Sequence, residues 1–305
     1  MTMLSATPKP RIALVTGATG YLGRHLVARL AAAGWTVHAL TRAQPNDVQL
    51  APHWHSLDGT TERVCEILAA IQPDVVFHLA AEVRHSHDVG DITPMVTAGV
   101  LFGTQVLEAM RQAGVTRIIS AGTYWQHHEN RPYNPYCLYA ALKQAFADVL
   151  SGYTELYGIK AVTLELADVY GPDDPRPKLI NQLADALLHD RPIDLSPGEQ
   201  YVDLVHVHDV CDAFIQAATL MEGRQPGTHA ALGVSSAAAI TLQTLAERLS
   251  TLSGHTLHAR WGARPYRPRE TMQPWRPDNP LPGWSPQIPL ETGLLALLKA
   301  RGLNA

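Results

Sequence analysis

Tyr139 and Lys143 stand four residues apart in the stretch SAGTYWQHHENRPYNPYCLYAALK, and Thr123 lies upstream of them after an apolar run. On a helix, positions i and i+4 share a face, so the Lys143 ammonium falls beside the Tyr139 phenol. A free phenol ionises near pH ~10. A cation about 4 Å away, at an effective dielectric near ~20, favours the phenolate by about 4 kcal/mol, or about 3 pK units, which brings the tyrosine close to neutrality. A phenol tuned in this way exchanges protons with a substrate oxygen efficiently at working pH. Thr123 at a strand end can hydrogen-bond the same oxygen and hold it still. The spacing predicts a catalytic set of Thr123, Tyr139 and Lys143, in which a proton reaches an oxygen as hydride reaches the carbon beside it.

Such chemistry needs a hydride carrier, and the sequence offers a place for one. Thr16-Gly17-Ala18-Thr19-Gly20-Tyr21-Leu22-Gly23 fits GxxGxxG between a short apolar run and a helical pattern. Glycines there let the backbone turn tightly and approach a pyrophosphate, and the helix start supplies unpaired N–H groups. Gly17, Thr19, Gly20, Tyr21, Leu22 and Gly23 are the predicted cofactor-binding residues of this loop. The second strand ends Leu40-Thr41-Arg42, with no carboxylate to read the adenosine ribose. Thr41 and Arg42 are therefore expected to meet the 2′-phosphate of NADP, the arginine through its planar fork. If Arg42 is only a solvated surface residue, the cofactor is NAD. Arg24, just inside the first helix, is a candidate helper.

The elements that must position these residues alternate along the chain. A strand at Ile12–Val15, a helix carrying Leu22, Leu26, Val27 and Leu30, and the strand WTVHAL form one βαβ unit. Pro73–Ala81 reads as a buried strand, Val100–Gly114 as a helix, TRIISAG as a strand and Tyr139–Tyr157 as a helix. KAVTLELADVYG reads as one further strand. This alternation predicts an α/β fold with a doubly wound parallel Rossmann sheet. After Gly171 the chain is interrupted by prolines, and Arg260–Pro289 is rich in Pro, Arg and Trp, a composition suited to loops over a site. Residues 1–171 are expected to form the dinucleotide-binding domain. Residues 172–305 are expected to form mainly a smaller substrate lobe, with some segments returning to the sheet.

Composition narrows the classes. The 305 residues are 46% hydrophobic and 17% charged, as in a globular core. A net charge of −4 gives no basic footprint for nucleic acid. No apolar run is long enough to span a membrane, and the N-terminal stretch lacks the pattern of a signal peptide. Three cysteines, Cys65, Cys137 and Cys211, form no CxxC pair, which fits a reducing, cytoplasmic setting. The fifteen histidines include the pairs His53/His55, His85/His87, His127/His128 and His206/His208, but no acid or cysteine cluster joins them, so no metal site is expected. His85 lies where a substrate loop is expected. Cys137 reads as an inert buried thiol.

TGATGYLG, HLAA (His78–Ala81), Thr123, YAALK (Tyr139–Lys143), DVYGP (Asp168–Pro172) and VDLVHVHDV (Val202–Val210) together resemble the extended short-chain dehydrogenase/reductases. The resemblance is to the NAD(P)-dependent nucleotide-sugar epimerases, dehydratases and ketoreductases, and it covers nearly the whole chain. It implies that Leu79, Ala80 and Ala81 line the cofactor path and that Lys143 also holds the nicotinamide ribose. It implies a nucleotide-sugar substrate met by Asp168, Lys178 and the residues beside Thr123, and a homodimer formed through Val100–Gly114 and Tyr139–Tyr157. Tyr124 and Trp125 stand where dehydratases of the family carry Asp-Glu, so dehydration is not expected. Val202 stands where a relative has an arginine, and Arg267 and Arg269 are the candidate replacements for holding the diphosphate. The stretch from Gly122 to Leu150 is similar to CDP-abequose and CDP-paratose synthases. The implied activity is NADPH-dependent reduction of a 4-keto-6-deoxyhexose nucleotide at C4. The alternatives are a C4 epimerase with tightly held NAD, or an NAD(P)-binding sensor or scaffold without turnover.

Overall fold

Strand β1 (Ile12–Thr16) is buried from Ala13 onward and has a parallel neighbour on each side. Val15 lies opposite Ala39 of β2 (Thr36–Thr41) on one side and Phe77 of β4 (Val75–His78) on the other. Strand β3 (His53–Ser56) extends the sheet beyond β2. On the other side follow β5 (Arg117–Thr123), β6 (Lys160–Leu166) and, at the far edge, β11 (His229–Val234). The order β11-β6-β5-β4-β1-β2-β3 is parallel throughout. The computed structural model describes residues 10–42 and 53–303. The polar lead before Pro10, on which the reading of the N-terminus rests, lies outside the described residues.

Helices cover both faces, as expected for strands that are apolar on both sides. On one face α1 (Tyr21–Ala32) and α7 (Val207–Leu220) bury Leu26, Val27, Leu30 and Phe214 against Phe77 and Val162. On the other, α2 (Thr61–Ile71), α4 (Phe102–Ala113) and α5 (Leu138–Tyr157) bury Leu68, Leu107, Met110 and Phe146 against Leu14 and Ile118. Each such side chain contributes roughly 1.5–3 kcal/mol on leaving water, which is why the periodicity alone identifies these helices. A third cluster gathers α6 (Leu179–Leu188), α8 (Leu242–Ser253) and α9 (Leu290–Ala300) around Leu183, Leu245, Leu249 and Leu294. Three two-stranded ribbons tie this part together: β7 (Asp168–Tyr170) with β10 (Leu204–His206), β8 (Ile193–Asp194) with β13 (Ala259–Arg260), and β9 (Tyr201–Val202) with β12 (Ile240–Thr241).

Two expectations from the sequence change. KAVTLELADVYG is not one strand. The Ala167 N–H donates to Val234 O at 2.9 Å and the Asp168 N–H donates to Asp203 O at 2.9 Å, so the chain leaves the main sheet at Ala167 and pairs with a new partner. The helix predicted from Val100 is α-helical only from Phe102. It joins α3 (Ile92–Val96) through a π-helical turn, Thr97–Leu101.

Strand order reverses at β1, which has β2 on one side and β4 on the other. In open parallel sheets the crevice beyond the strand ends at such a point is where ligands bind. The glycine loop follows β1, and Leu79–Ala81 follow β4, so both border that crevice.

Candidate active site

Gly17 has φ +68°, and a Cβ there would lie 2.8 Å from the Ala80 nitrogen; at Gly23 it would lie 2.1 Å from Gly17 O. Both contacts are with backbone, so neither can yield cheaply. The Gly20 N–H closes the turn onto Gly17 O at 3.0 Å. Gly20 caps α1 without any side-chain hydrogen bond, which leaves the first-turn N–H groups for an acceptor from outside the helix. Thr16, fully buried, ties the two borders of the crevice together: its Oγ1 accepts from the N–H groups of Leu79 and Ala80 at 3.1 and 3.2 Å and pairs with His78 Nδ1 at 3.0 Å. This cradle, kept open by missing side chains, fits a dinucleotide phosphate.

Among the predicted loop residues, Thr19 and Gly20 are exposed, Leu22 is half-buried and Tyr21 is buried. Thr41 is buried at the end of β2, and Arg42 follows it, exposed at the same edge of the sheet. Arg24 is engaged elsewhere, donating to Asp173 O at 3.1 Å.

Thr123 ends β5. Its Oγ1 accepts from the Trp125 N–H at 3.3 Å, while its own N–H donates to Gln126 Oε1 at 3.1 Å. Gln126, 1% exposed, donates in turn to Gln144 on α5 at 2.9 Å, so the strand end is fastened to the helix that carries Tyr139 and Lys143. Sequence spacing gave no sign of Gln126. Its effect depends on a glutamine reaching a helix 18 residues away, although the Thr-x-x-Gln pattern of a capping box is legible in principle.

Lys143 is buried, with Nζ 5.9 Å from the centre of the Tyr139 ring. The two share a helix face as expected, but the electrostatics differ from expectation. Burial pushes the Tyr139 phenol up, the neighbouring Cys137 thiol adds to this, and Arg176 opposes it. Burial pushes the Lys143 ammonium down to about 8. The expected acidic phenol is therefore not found in the protein alone. Both groups lose solvent, and the ammonium is not among the charges that act appreciably on the phenol oxygen. Tyr139 is instead a phenol held protonated, as a proton donor must be at the start of its step.

Beside Tyr139 the surface is aromatic. Trp125 meets its ring edge-on at 5.8 Å and packs against His85 at 4.2 Å and Tyr136 at 5.6 Å. These rings open onto a cavity of about 440 Å³. Of the predicted substrate residues, His85, Tyr124, Trp125, Asp168, Lys178 and Arg267 all line it. The Tyr124 hydroxyl donates to Asp168 Oδ2 at 2.9 Å, and Lys178 Nζ donates to Val169 O at 3.0 Å with Asp168 Oδ1 3.9 Å away. Arg269 does not reach the cavity. Its residue adopts a left-handed backbone, φ 62°, and its guanidinium turns to the Asn134 side chain and carbonyl. Arg264, Tyr136 and Gln200 line the cavity without having been anticipated, because each sits in a loop or ribbon whose facing is set by tertiary packing.

Residues 13–233 match the NAD dependent epimerase/dehydratase family. The chain is 31% identical over 236 residues to UDP-glucose 4-epimerase of Mycolicibacterium smegmatis, covering 70% of this chain and 74% of that one. It is 25% identical over 263 residues to CDP-abequose synthase of Salmonella muenchen, covering 85% of this chain and 87% of that one. Among solved structures, UDP-glucose 4-epimerase from Brucella ovis in complex with NAD superposes with a TM-score of 0.85 over 96% of this chain and 99% of that one, at 18% identity, a likeness of fold.

Proposed function

Because the chain belongs to the NAD dependent epimerase/dehydratase family, whose members here act on nucleotide sugars, we propose that it reduces the C4 ketone of a nucleoside-diphosphate-4-keto-6-deoxyhexose with NADPH. The observation that carries this reading is the wall beside the proton donor. Thr123 is followed by Tyr124 and by Trp125, which is edge-on to Tyr139, where dehydration would need an acid and a base. An aromatic wall suits the C–H face and methyl group of a deoxyhexose ring.

Gly17, Gly20 and the start of α1 would hold the dinucleotide phosphates, and Thr41 and Arg42 its adenosine end. When bound, the cofactor supplies hydride to the ketone carbon. The chain supplies the rest. Since the Thr123 oxygen already accepts from the Trp125 N–H, its own O–H is left to donate to the ketone oxygen and fix it. Tyr139, protonated at rest, delivers its proton to that oxygen. Lys143 shares the helix face of Tyr139, its Nζ 5.9 Å from the ring centre, and would be drawn toward the phenolate once that charge forms. Asp168, Lys178 and Arg267 meet the polar parts of the nucleotide sugar in the cavity.

A second reading, C4 epimerisation with retained NAD, draws on the 31% identity to a UDP-glucose 4-epimerase. NADPH absorbance separates the two. Loss of absorbance with a CDP- or dTDP-4-keto-6-deoxyhexose supports reduction. Interconversion of UDP-glucose and UDP-galactose without net loss would replace it with epimerisation.

A further inference from the structure

The segment between β7 and α6 crosses from the substrate cavity to the glycine loop and carries Arg176 across the crevice. Arg176 lies with its guanidinium carbon 4.8 Å from the centre of the Tyr21 ring, and Tyr21 is the first residue of α1. Its Nε and Nη2 form a two-point bridge to the buried Asp174, each at 2.7 Å, which leaves the Nη1 edge of the fork for another acceptor. The segment is fixed at both ends. On the cofactor side Arg24 donates to Asp173 O at 3.1 Å. On the lobe side Asn181 donates to Asp174 O at 3.2 Å and Arg176 O at 2.8 Å, and Arg301 donates to Asp174 O at 3.2 Å.

Two further observations place this guanidinium at the cofactor crevice. Tyr21, 5% exposed, buries a hydroxyl that has no hydrogen-bond partner among the described residues. Among the described residues, the Arg176 charge also favours the ionised Tyr139 phenol, against the larger opposing effects of burial and Cys137, so it faces both the phosphate loop and the proton donor. A dinucleotide bridging those two points carries its diphosphate and nicotinamide ribose along that path. With Asp174 already answering one face of the fork, Arg176 is held rigid and its ordering cost is met before any ligand arrives.

We infer that Arg176 is a cofactor-binding residue contributed by the later half of the chain, whose free guanidinium edge holds the diphosphate–nicotinamide-ribose portion of the dinucleotide against the Gly17–Gly23 loop. This rests on the dinucleotide reading of the crevice and adds to it a contact that the loop motif does not contain.

Binding, without turnover, tests it. Arg176→Met alone would strand a buried carboxylate, so the informative protein is the double variant Arg176→Met, Asp174→Asn, with its thermal unfolding compared to the parent. Calorimetric titration uses two probes: NADPH, and 2′,5′-ADP, which lacks the diphosphate bridge and nicotinamide. The expected result is about a ten-fold weaker affinity for NADPH, the scale of one charge-assisted hydrogen bond, with 2′,5′-ADP within about two-fold of the parent. Unchanged NADPH affinity would overturn the inference, and so would equal losses for both probes. If the parent protein binds neither probe, nor NADH, the dinucleotide reading itself fails.

Discussion

Replacing Tyr139 by Phe keeps the ring against Trp125 and removes only the O–H. Turnover should fall by at least about a thousand-fold while NADPH affinity stays within about two-fold, because the lost group acts on the reacting oxygen and not on cofactor binding. Stopped assays beside calorimetry check this, and a variant of full activity would remove the proton-donor assignment. Lys143 gives a test that needs no substrate. Its folded pKa of about 8 lies below the unfolded value of 10.5, so between those values the unfolded chain binds more protons and stability rises with pH. The raised Tyr139 phenol acts oppositely once the unfolded phenol ionises near pH 10, which closes the window there. From pH 8 to 10 the parent should gain about 2–3 kcal/mol of unfolding free energy relative to Lys143→Met, measured in urea. At the crevice's other end, Arg42→Ala should weaken NADPH by about 1.5–3 kcal/mol and leave NADH nearly unchanged; equal losses would mean Arg42 does not read the phosphate. The Tyr139–Lys143 pairing was legible because helical geometry follows directly from spacing. The direction of the proton equilibrium was not, because spacing contains the charge of Lys143 but not the solvent that both groups lose.

Elements were legible wherever a single partner decides them. The β1–α1 unit follows from an apolar run, three glycines and a 3.6-residue rhythm. The break at Ala167 was not legible, since the residues on both sides remain apolar and the change lies in which distant carbonyl, Val234 or Asp203, accepts the next N–H. Arg267 and Arg269 could not be told apart either, because a left-handed backbone at Arg269 decides which of them faces the cavity. Gln126 is the element-scale counterpart of the catalytic residues, joining the end of β5 to α5. Gln126→Leu fits the buried site but leaves the Thr123 N–H without its acceptor. The expected loss of stability is about 1–3 kcal/mol in chemical denaturation. A loss below about 0.5 kcal/mol would mean the strand end holds its place without the glutamine.

On the scale of the whole molecule, large apolar side chains stay exposed on the helices expected to meet a second copy. Leu101 and Leu156 are 50% and 74% exposed, and Ile92 and Val96 on α3 are exposed as well. We propose that these helices pair two chains. Sedimentation should report a dimer, and Leu101→Asp with Leu156→Asp should yield a monomer; a monomeric parent would leave these side chains as ordinary surface. One wall of the substrate cavity comes from late in the chain, where Arg264, Arg267 and Thr271 face Tyr124 and Tyr136. Beside it the Asn130 side chain donates to Pro274 O and accepts from the Arg276 N–H, and Asn134 receives Arg269, so two stretches about 140 residues apart are tied together. During synthesis the first of these leaves the ribosome long before the second. A nascent chain can thus shape its dinucleotide crevice early, yet cannot enclose a sugar until Arg264, Arg267 and Thr271 have emerged.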